Sequence, residues 1–273
     1  FVSEIDGAQA EASARALAAA RAEGRKLDTP PGPDPKDWDE GYAIQDALIR
    51  VTDSPVVGWK IGATSKRAQD LLGVDGPFSG PLFERWVTES PAEVATPARA
   101  LRIIEPEFAL RLSGDLPARD DPYTADEIAA AVGAVHCAFE IIDRRLAETP
   151  GGRGSGGFQG SPYWFPADAG ANAGFVLGPG REDWRTLDLQ ALTVEVYLDG
   201  HEKTRGISAN AMGGPLQSLG WLVEHLRGRG IGLVAGQVVT TGVVTEIFTA
   251  QPGETVHADY EGIGSVTIEM AEY

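Results

Sequence analysis

The sequence predicts an α+β fold. Helix-period apolar spacing dominates the first third of the 273 residues, strand-length runs dominate the rest, and strands and helices do not alternate regularly. No fixed-period repeat suggests a solenoid or propeller. Residues 3–24 are Ala-rich and read as a helix, which the run Thr29-Pro30-Pro31-Gly32-Pro33 ends by removing donors and restricting φ. Asp34 before Pro35 signals a second helix, with Tyr42, Ile44, Ala47, Leu48 and Val51 as its apolar stripe. Residues 56–61 form a strand and residues 65–72 a short helix, whereas turn residues dominate 73–91. Residues 102–112 alternate: Ile104, Pro106 and Phe108 take one face, and Ile103, Glu105, Glu107 and Ala109 the other. Thr124 and Glu127 make a capping box that opens a helix to about residue 132, and residues 134–142 form an apolar strand. Further strands are expected at 174–177, 192–198, 236–242, 254–259 and 264–270, with Asp199-Gly200 as a hairpin turn and a helix over 215–227.

Composition narrows the function. Lys and Arg number 23 against 40 Asp and Glu, a net charge of −17, which disfavours nucleic acid and anionic membrane surfaces as partners. No apolar run approaches the roughly 18 residues of a membrane span. The single cysteine, Cys137, forms no internal disulfide, so a reducing cytoplasm is the expected location. The charge-interleaved opening helix does not have the apolar core of a targeting segment.

Three carboxylates stand out. Glu105 and Glu107 are two apart on a strand and share a face, flanked by Ile103-Ile104 and Phe108-Ala109-Leu110. A solvated strand face would explain them, but apolar flanks argue for burial, and a buried carboxylate must be paired, protonated or metal-bound. Glu140 interrupts another apolar strand. An ion pair with Arg144 or Arg145 is one explanation; a metal shared with Glu105 and Glu107 is the other. An all-oxygen donor set without His or Cys selects a hard cation, Mg²⁺ or Mn²⁺. Lys60 lies between Gly58 and Gly62 on its strand, either as an edge-strand lysine or as a partly buried acid/base group with a lowered pKa. Gly152, Gly154 and Gly157 match a dinucleotide fingerprint in letter only, since Gln159-Gly160-Ser161-Pro162 follows instead of a helix, so a lid loop is expected. His136 and Cys137 are adjacent on a strand and point to opposite faces, which excludes a thiol–imidazole pair. His201, His225 and His257 have no ligand spacing.

Several blocks, in order, carry a resemblance: Tyr42-Ala43-Ile44-Gln45, Gly58-Trp59-Lys60-Ile61-Gly62-Ala63-Thr64, Gly73-Val74-Asp75-Gly76-Pro77, Glu105-Pro106-Glu107, Glu140-Ile141-Ile142-Asp143, Asn172-Ala173-Gly174, Pro215-Leu216-Gln217-Ser218 with Trp221-Leu222, Thr240-Thr241-Gly242 and Gly264-Ser265-Val266. From Tyr42 onward the chain resembles the 2-keto-4-pentenoate hydratase / 4-oxalocrotonate decarboxylase family of the fumarylacetoacetate hydrolase superfamily. The resemblance implies a mixed β-roll, with a helical region over 1–80 and a β-rich catalytic domain over 81–273. It also implies Mg²⁺ or Mn²⁺ on Glu105, Glu107 and Glu140, Lys60 as the catalytic acid/base, and substrate contacts at Gln45, Gly62, Asp75 and Thr241. Asp143 would organise Arg144 or a neighbouring segment.

The expected function is a metal-dependent lyase that adds water to a 2-oxo or 2-hydroxydienoic acid, in a homo-oligomer. One departure bears on this: where the hydratases read Pro-Asp-Phe-Gly, this chain reads Pro77-Phe78-Ser79-Gly80. Asp75 or Glu84 would have to replace the missing acid. Otherwise decarboxylation, tautomerisation, C–C hydrolysis or non-catalytic binding of an oxo acid remains on the same scaffold.

Overall fold

The computed structural model describes residues 5–149 and 157–273. Gly152 and Gly154 of the expected glycine-rich loop lie outside the described residues. Six helices occur among those described, α1 (Gly7–Ala22), α2 (Trp38–Val51), α3 (Lys66–Leu72), α4 (Ala125–Ala130), α5 (Trp164–Ala167) and α6 (Pro215–Gly228). The strands are β1 (Val56–Gly62), β2 (Phe78–Phe83), β3 (Val87–Glu89), β4 (Ala92–Thr96), β5 (Ile103–Leu112), β6 (Val132–Ile142), β7 (Asn172–Arg181), β8 (Thr193–Leu198), β9 (His201–Ile207), β10 (Val238–Val243), β11 (Phe248–Thr249), β12 (Thr255–Tyr260) and β13 (Gly264–Glu272).

The strands form two sheets. The larger has the order β2-β1-β10-β5-β6-β7-β3, with β11 also on β5; the smaller has the order β4-β13-β12-β8-β9. Both mix parallel and antiparallel pairs, because β1 runs parallel to β10, β3 to β7 and β4 to β13. One face of β5 and β6 supplies Ile104, Phe108, Leu110, Val135, Cys137 and Phe139 to the core, where they meet Val196, Val256, Val266 and Ile268 of the smaller sheet. Phe108 meets Tyr260 edge to face at 5.1 Å. The opposite face of the same two strands contributes Ala109 and Ala138 to a separate small cluster with Leu82, Phe175 and Val238. This two-faced ladder leaves the carboxylates on the side away from the main core.

The helical N-terminal region is woven into this sheet. Position 80, the expected boundary, falls inside β2, and β1 sits between β2 and β10. α1 starts at Asp6, which makes a capping box with Gln9, and packs on α2 through Ala14, Leu17, Ile44 and Leu48. α2 begins later than Asp34 suggested. Asp37 caps it by accepting from the Glu40 N–H at 2.9 Å, while Asp34 accepts from the Trp164 indole at 2.8 Å and from the Ser161 N–H at 2.7 Å. A residue before proline is biased away from helical dihedrals, so Asp34 serves a long-range contact instead.

The stretch expected to be turns holds β2 and β3, and β4 follows it. β2 contains Gly80 and Pro81, which argue against a central strand, but β2 is an edge strand and Pro81 opposes Trp59 there. The remaining expected strands are present, and Asp199 and Gly200 both adopt positive φ as a type I′ hairpin requires. Phe108→Ala should therefore destabilise the protein by about 3–5 kcal/mol in a urea titration, since the ring is fully buried between the sheets. A loss below that range would show that the two sheets repack readily at this position.

Candidate metal centre and cavity

The β5–β6 register brings the carboxylates together. Glu105 lies directly across from Glu140 and Glu107 across from Ala138, so all three glutamates share one face. One oxygen from each falls within 4.8 Å of the others. Glu107 is fully buried; its Oε2 accepts from the Thr240 hydroxyl and from the Gly242 N–H at 2.6 Å. Its Oε1 is buried with no hydrogen-bond partner. Gly242 sits at φ 103°, and a Cβ there would lie 2.4 Å from the Thr64 hydroxyl, so only glycine presents its N–H to Glu107 in this way. Glu140 Oε1 accepts from Asn172 Nδ2 at 2.9 Å, and Asn172 in turn accepts from Arg21 at 3.0 Å. Glu140 Oε2 faces Lys60 Nζ at 3.2 Å.

Lys60 reaches this face because β1 pairs with β10 at Lys60↔Thr240. Its ammonium is buried and donates to the Gly170 carbonyl at 3.0 Å. Burial alone would lower its pKa, as the sequence suggested, but Glu140, Glu105 and Glu107 together outweigh burial and raise it. Lys60 is thus held as an ammonium. Burial raises the Glu105 carboxyl to about 7, with Lys60 opposing and Glu140 adding to the rise. Burial, then the two neighbouring carboxylates, hold Glu107 well above the ordinary range. Three carboxyl groups face one ammonium, so that ionising all of them leaves an excess of negative charge, and Oε1 of Glu107 is orphaned. Both fit a hard divalent cation with oxygen ligands.

Beside this centre lies a cavity of about 200 Å³. Among the described residues, Lys60, Glu105 and Arg144 are its charged lining; Leu71, Leu72, Ile103, Ile142, Phe165 and Ile247 supply much of its apolar wall. Gly62 and Phe78 also line it. The Phe78 ring occupies the space over Gly62, where a Cβ would lie 2.4 Å from ring atoms, and stacks on Phe165 at 5.6 Å.

Other sequence candidates are engaged elsewhere. Gln45 is buried, donates to the Ser79 and Pro166 carbonyls at 2.8 Å each, and accepts from Arg229, which fastens α2 to β2. Thr241 donates to the Phe108 carbonyl at 2.8 Å. Asp75 is exposed and accepts from the Trp38 indole at 2.9 Å, and Glu84 is exposed beyond the far end of β2. Neither lines the cavity. Asp143 accepts from Lys26 and from the Leu101 N–H, so it organises Lys26 and not Arg144. Arg145 pairs with Asp168 at 3.2 Å, and the ion pair expected between Glu140 and an arginine is made by Lys60 instead. Cys137 lies on the core face, its thiol pushed up to about 12 by burial, while His136 contacts the Gly178 carbonyl at 3.0 Å.

Two functional neighbours escaped the sequence reading as side chains with roles, Thr240 and Asn172. Each holds a carboxylate of the centre, and only strand alternation in β10 and the asparagine at the start of β7 hinted at them. Thr240→Val should weaken Mn²⁺ binding by about 10- to 100-fold in calorimetry, because a hydrogen bond that orients a ligand carboxylate is lost. Thr241→Val should leave Mn²⁺ affinity unchanged; equal effects of the two would separate the centre from Thr240.

Residues 85–270 match the family described as fumarylacetoacetate (FAA) hydrolase C-terminal. A 2-keto-4-pentenoate hydratase of Burkholderia vietnamiensis (strain G4 / LMG 22486) is 33% identical over 97% of this chain and 94% of its own length. A 2-oxo-hept-4-ene-1,7-dioate hydratase of Escherichia coli is 29% identical over 84% of this chain and 85% of its own. Among solved structures, 4-oxalocrotonate decarboxylase from Pseudomonas putida G7, complexed with magnesium and adipate, superposes with a TM-score of 0.84 at 22% identity, covering 98% of this chain and all of that one. With the β-roll and the carboxylate centre already in place, the chain belongs to the fumarylacetoacetate hydrolase superfamily, in its 2-keto-4-pentenoate hydratase / 4-oxalocrotonate decarboxylase family.

Proposed function

We propose that the protein is a divalent-metal-dependent lyase acting on a 2-oxo or 2-hydroxydienoic acid. The observation that carries this reading is the convergence of Glu105, Glu107 and Glu140 beside Lys60 at an apolar cavity. Relatives named as hydratases of 2-keto-4-pentenoate and 2-hydroxyhexa-2,4-dienoate support it. The three glutamates would hold Mg²⁺ or Mn²⁺, and such an ion supplies Lewis acidity to a carboxylate and an adjacent 2-oxo group. Thr240, Gly242 and Asn172 orient two of those glutamates. Lys60, kept as an ammonium and steered by the Gly170 carbonyl, is the proton donor to the conjugated chain and takes the proton back in the reverse direction. The apolar wall excludes bulk water from the bound acid, which strengthens each charge–charge contact in the cavity.

A second reading rests on Phe78. The acid/base groups among the described lining residues are Lys60 and Glu105, and hydration calls for a group that handles water in addition to one that protonates carbon. Decarboxylation or enol–keto tautomerisation requires fewer such groups, so Phe78 favours them. A panel of 2-hydroxydienoates and a 2-oxo-enedioic acid, assayed with Mn²⁺, separates the readings. Formation of a 4-hydroxy-2-oxo acid supports hydration, and CO₂ release without water addition supports decarboxylation. Glu107→Gln should abolish metal-dependent turnover. Lys60→Met should reduce deuterium exchange at C3 of a 2-oxo acid by about 10²- to 10⁴-fold while Mn²⁺ still binds. Activity unchanged by Glu107→Gln and by chelator would sink the assignment.

A further inference from the structure

Of the three charged side chains that line the cavity among the described residues, Lys60 and Glu105 belong to the carboxylate centre, but Arg144 does not. Arg144 is 2% exposed, and its Nε and Nη2 are buried without a hydrogen-bond partner. Its neighbours along the chain are all occupied. Asp143 accepts from Lys26 and Leu101, Arg145 pairs with Asp168, and Glu140 faces Lys60. Asp168 and Glu148 favour the charge on Arg144 electrostatically, yet neither accepts a hydrogen bond from its buried nitrogens.

Two aromatic rings hold the guanidinium. Its central carbon lies 4.8 Å from the centroid of Phe158 and 4.6 Å from that of Phe165. Ring faces attract a cation, but they accept no conventional hydrogen bonds from a group that carries five N–H donors. A buried guanidinium left in that state is strongly destabilising unless an anion completes it. The same rings measure out the cavity. Lys60 Nζ lies 5.8 Å from the Phe78 ring, Phe78 stacks on Phe165, and Phe165 carries Arg144. A chain of ring contacts therefore links two buried cations, Lys60 beside the carboxylate centre and Arg144 outside the cluster of three glutamates.

We propose that Arg144 is a specificity-determining residue that binds a second, distal carboxylate, so that the preferred substrate is a dicarboxylic 2-oxo acid whose apolar middle lies along Phe78 and Phe165. The inference rests on the reading above, in which the 2-oxo acid head occupies the carboxylate centre. The planar guanidinium matches a carboxylate in a two-point hydrogen bond, and a neutral tail would leave its donors unpaired.

The test uses two probes with the same head and the same seven-carbon length, 2-oxoheptanedioate and 2-oxoheptanoate, titrated calorimetrically into the full chain with Mn²⁺. The wild-type protein should bind the diacid about 10- to 100-fold more tightly, as expected for a charge-assisted hydrogen bond to a buried partner. Arg144→Met should remove that preference through the diacid alone, leaving monoacid affinity unchanged or improved, and Arg144→Lys should keep an intermediate preference. Should Arg144→Met not fold, as judged by thermal denaturation, the wild-type comparison and Arg144→Lys carry the test. Equal binding of both probes by the wild-type protein, or equal weakening of both in Arg144→Met, would overturn the role of Arg144 while leaving the lyase reading intact. Failure of both probes to bind with Mn²⁺ would overturn the lyase reading, and this inference with it.

Discussion

The convergence of three carboxylates, two fully buried and one half-buried, on one face of the β5–β6 ladder is the constraint around which the rest of the site is organised. Carboxylates this close repel one another, and a low-dielectric setting amplifies the repulsion. The fold answers with one buried ammonium from β1, a hydroxyl and an N–H from β10, and an amide from β7. These four compensating groups come from three strands of the large sheet, β1, β10 and β7, so the site exists only when those strands are paired. The strand order explains why the N-terminal region cannot be separated from the site: β1 brings Lys60, and β2 brings Phe78.

The two faces of β5 and β6 do different work. Phe108 and Cys137, on one face, join the core between the sheets; Glu107 and Glu140, on the other, face the carboxylate centre. The apolar core fixes the register of the ladder, and the register places Glu105 opposite Glu140. A slip by one residue would expose the core set and scatter the acidic set, so stability and site geometry are controlled by the same pairing. Most other charges lie outside this balance. Ion pairs such as Arg15–Glu11 and Lys66–Asp70 are exposed, and solvent screens them.

Phe78 changes the character of the cavity as much as its chemistry. An aromatic ring at this position packs over Gly62 and stacks on Phe165, extending an apolar wall away from the centre toward Arg144. The wall suits an unsaturated or aliphatic chain, and its charged ends suit groups of opposite sign. Phe78, Lys60 and Arg144 thus line one cavity, and the Phe78 ring both sets its apolar surface and contacts the ring that carries the arginine.

Much was legible in the sequence alone. Period-two spacing put Glu105 and Glu107 on one face, apolar flanks argued for their burial, the capping box at Thr124 marked a helix start, and the absence of His or Cys ligands selected oxygen chemistry. Among the elements missed, β2, β3 and β4 are edge strands, where one-sided pairing tolerates proline and polar residues and so erases the periodic signal. Only the tertiary structure decided which groups meet. It gave Glu140 to Lys60 and not to an arginine, engaged Gln45 and Thr241 with backbone carbonyls, placed Asp75 at the Trp38 indole, and left Nε and Nη2 of the Arg144 guanidinium without a hydrogen-bond partner beside the rings. The reason is physical: local spacing determines the direction a side chain takes from its own strand, whereas its partner is set by the register between strands far apart in the chain.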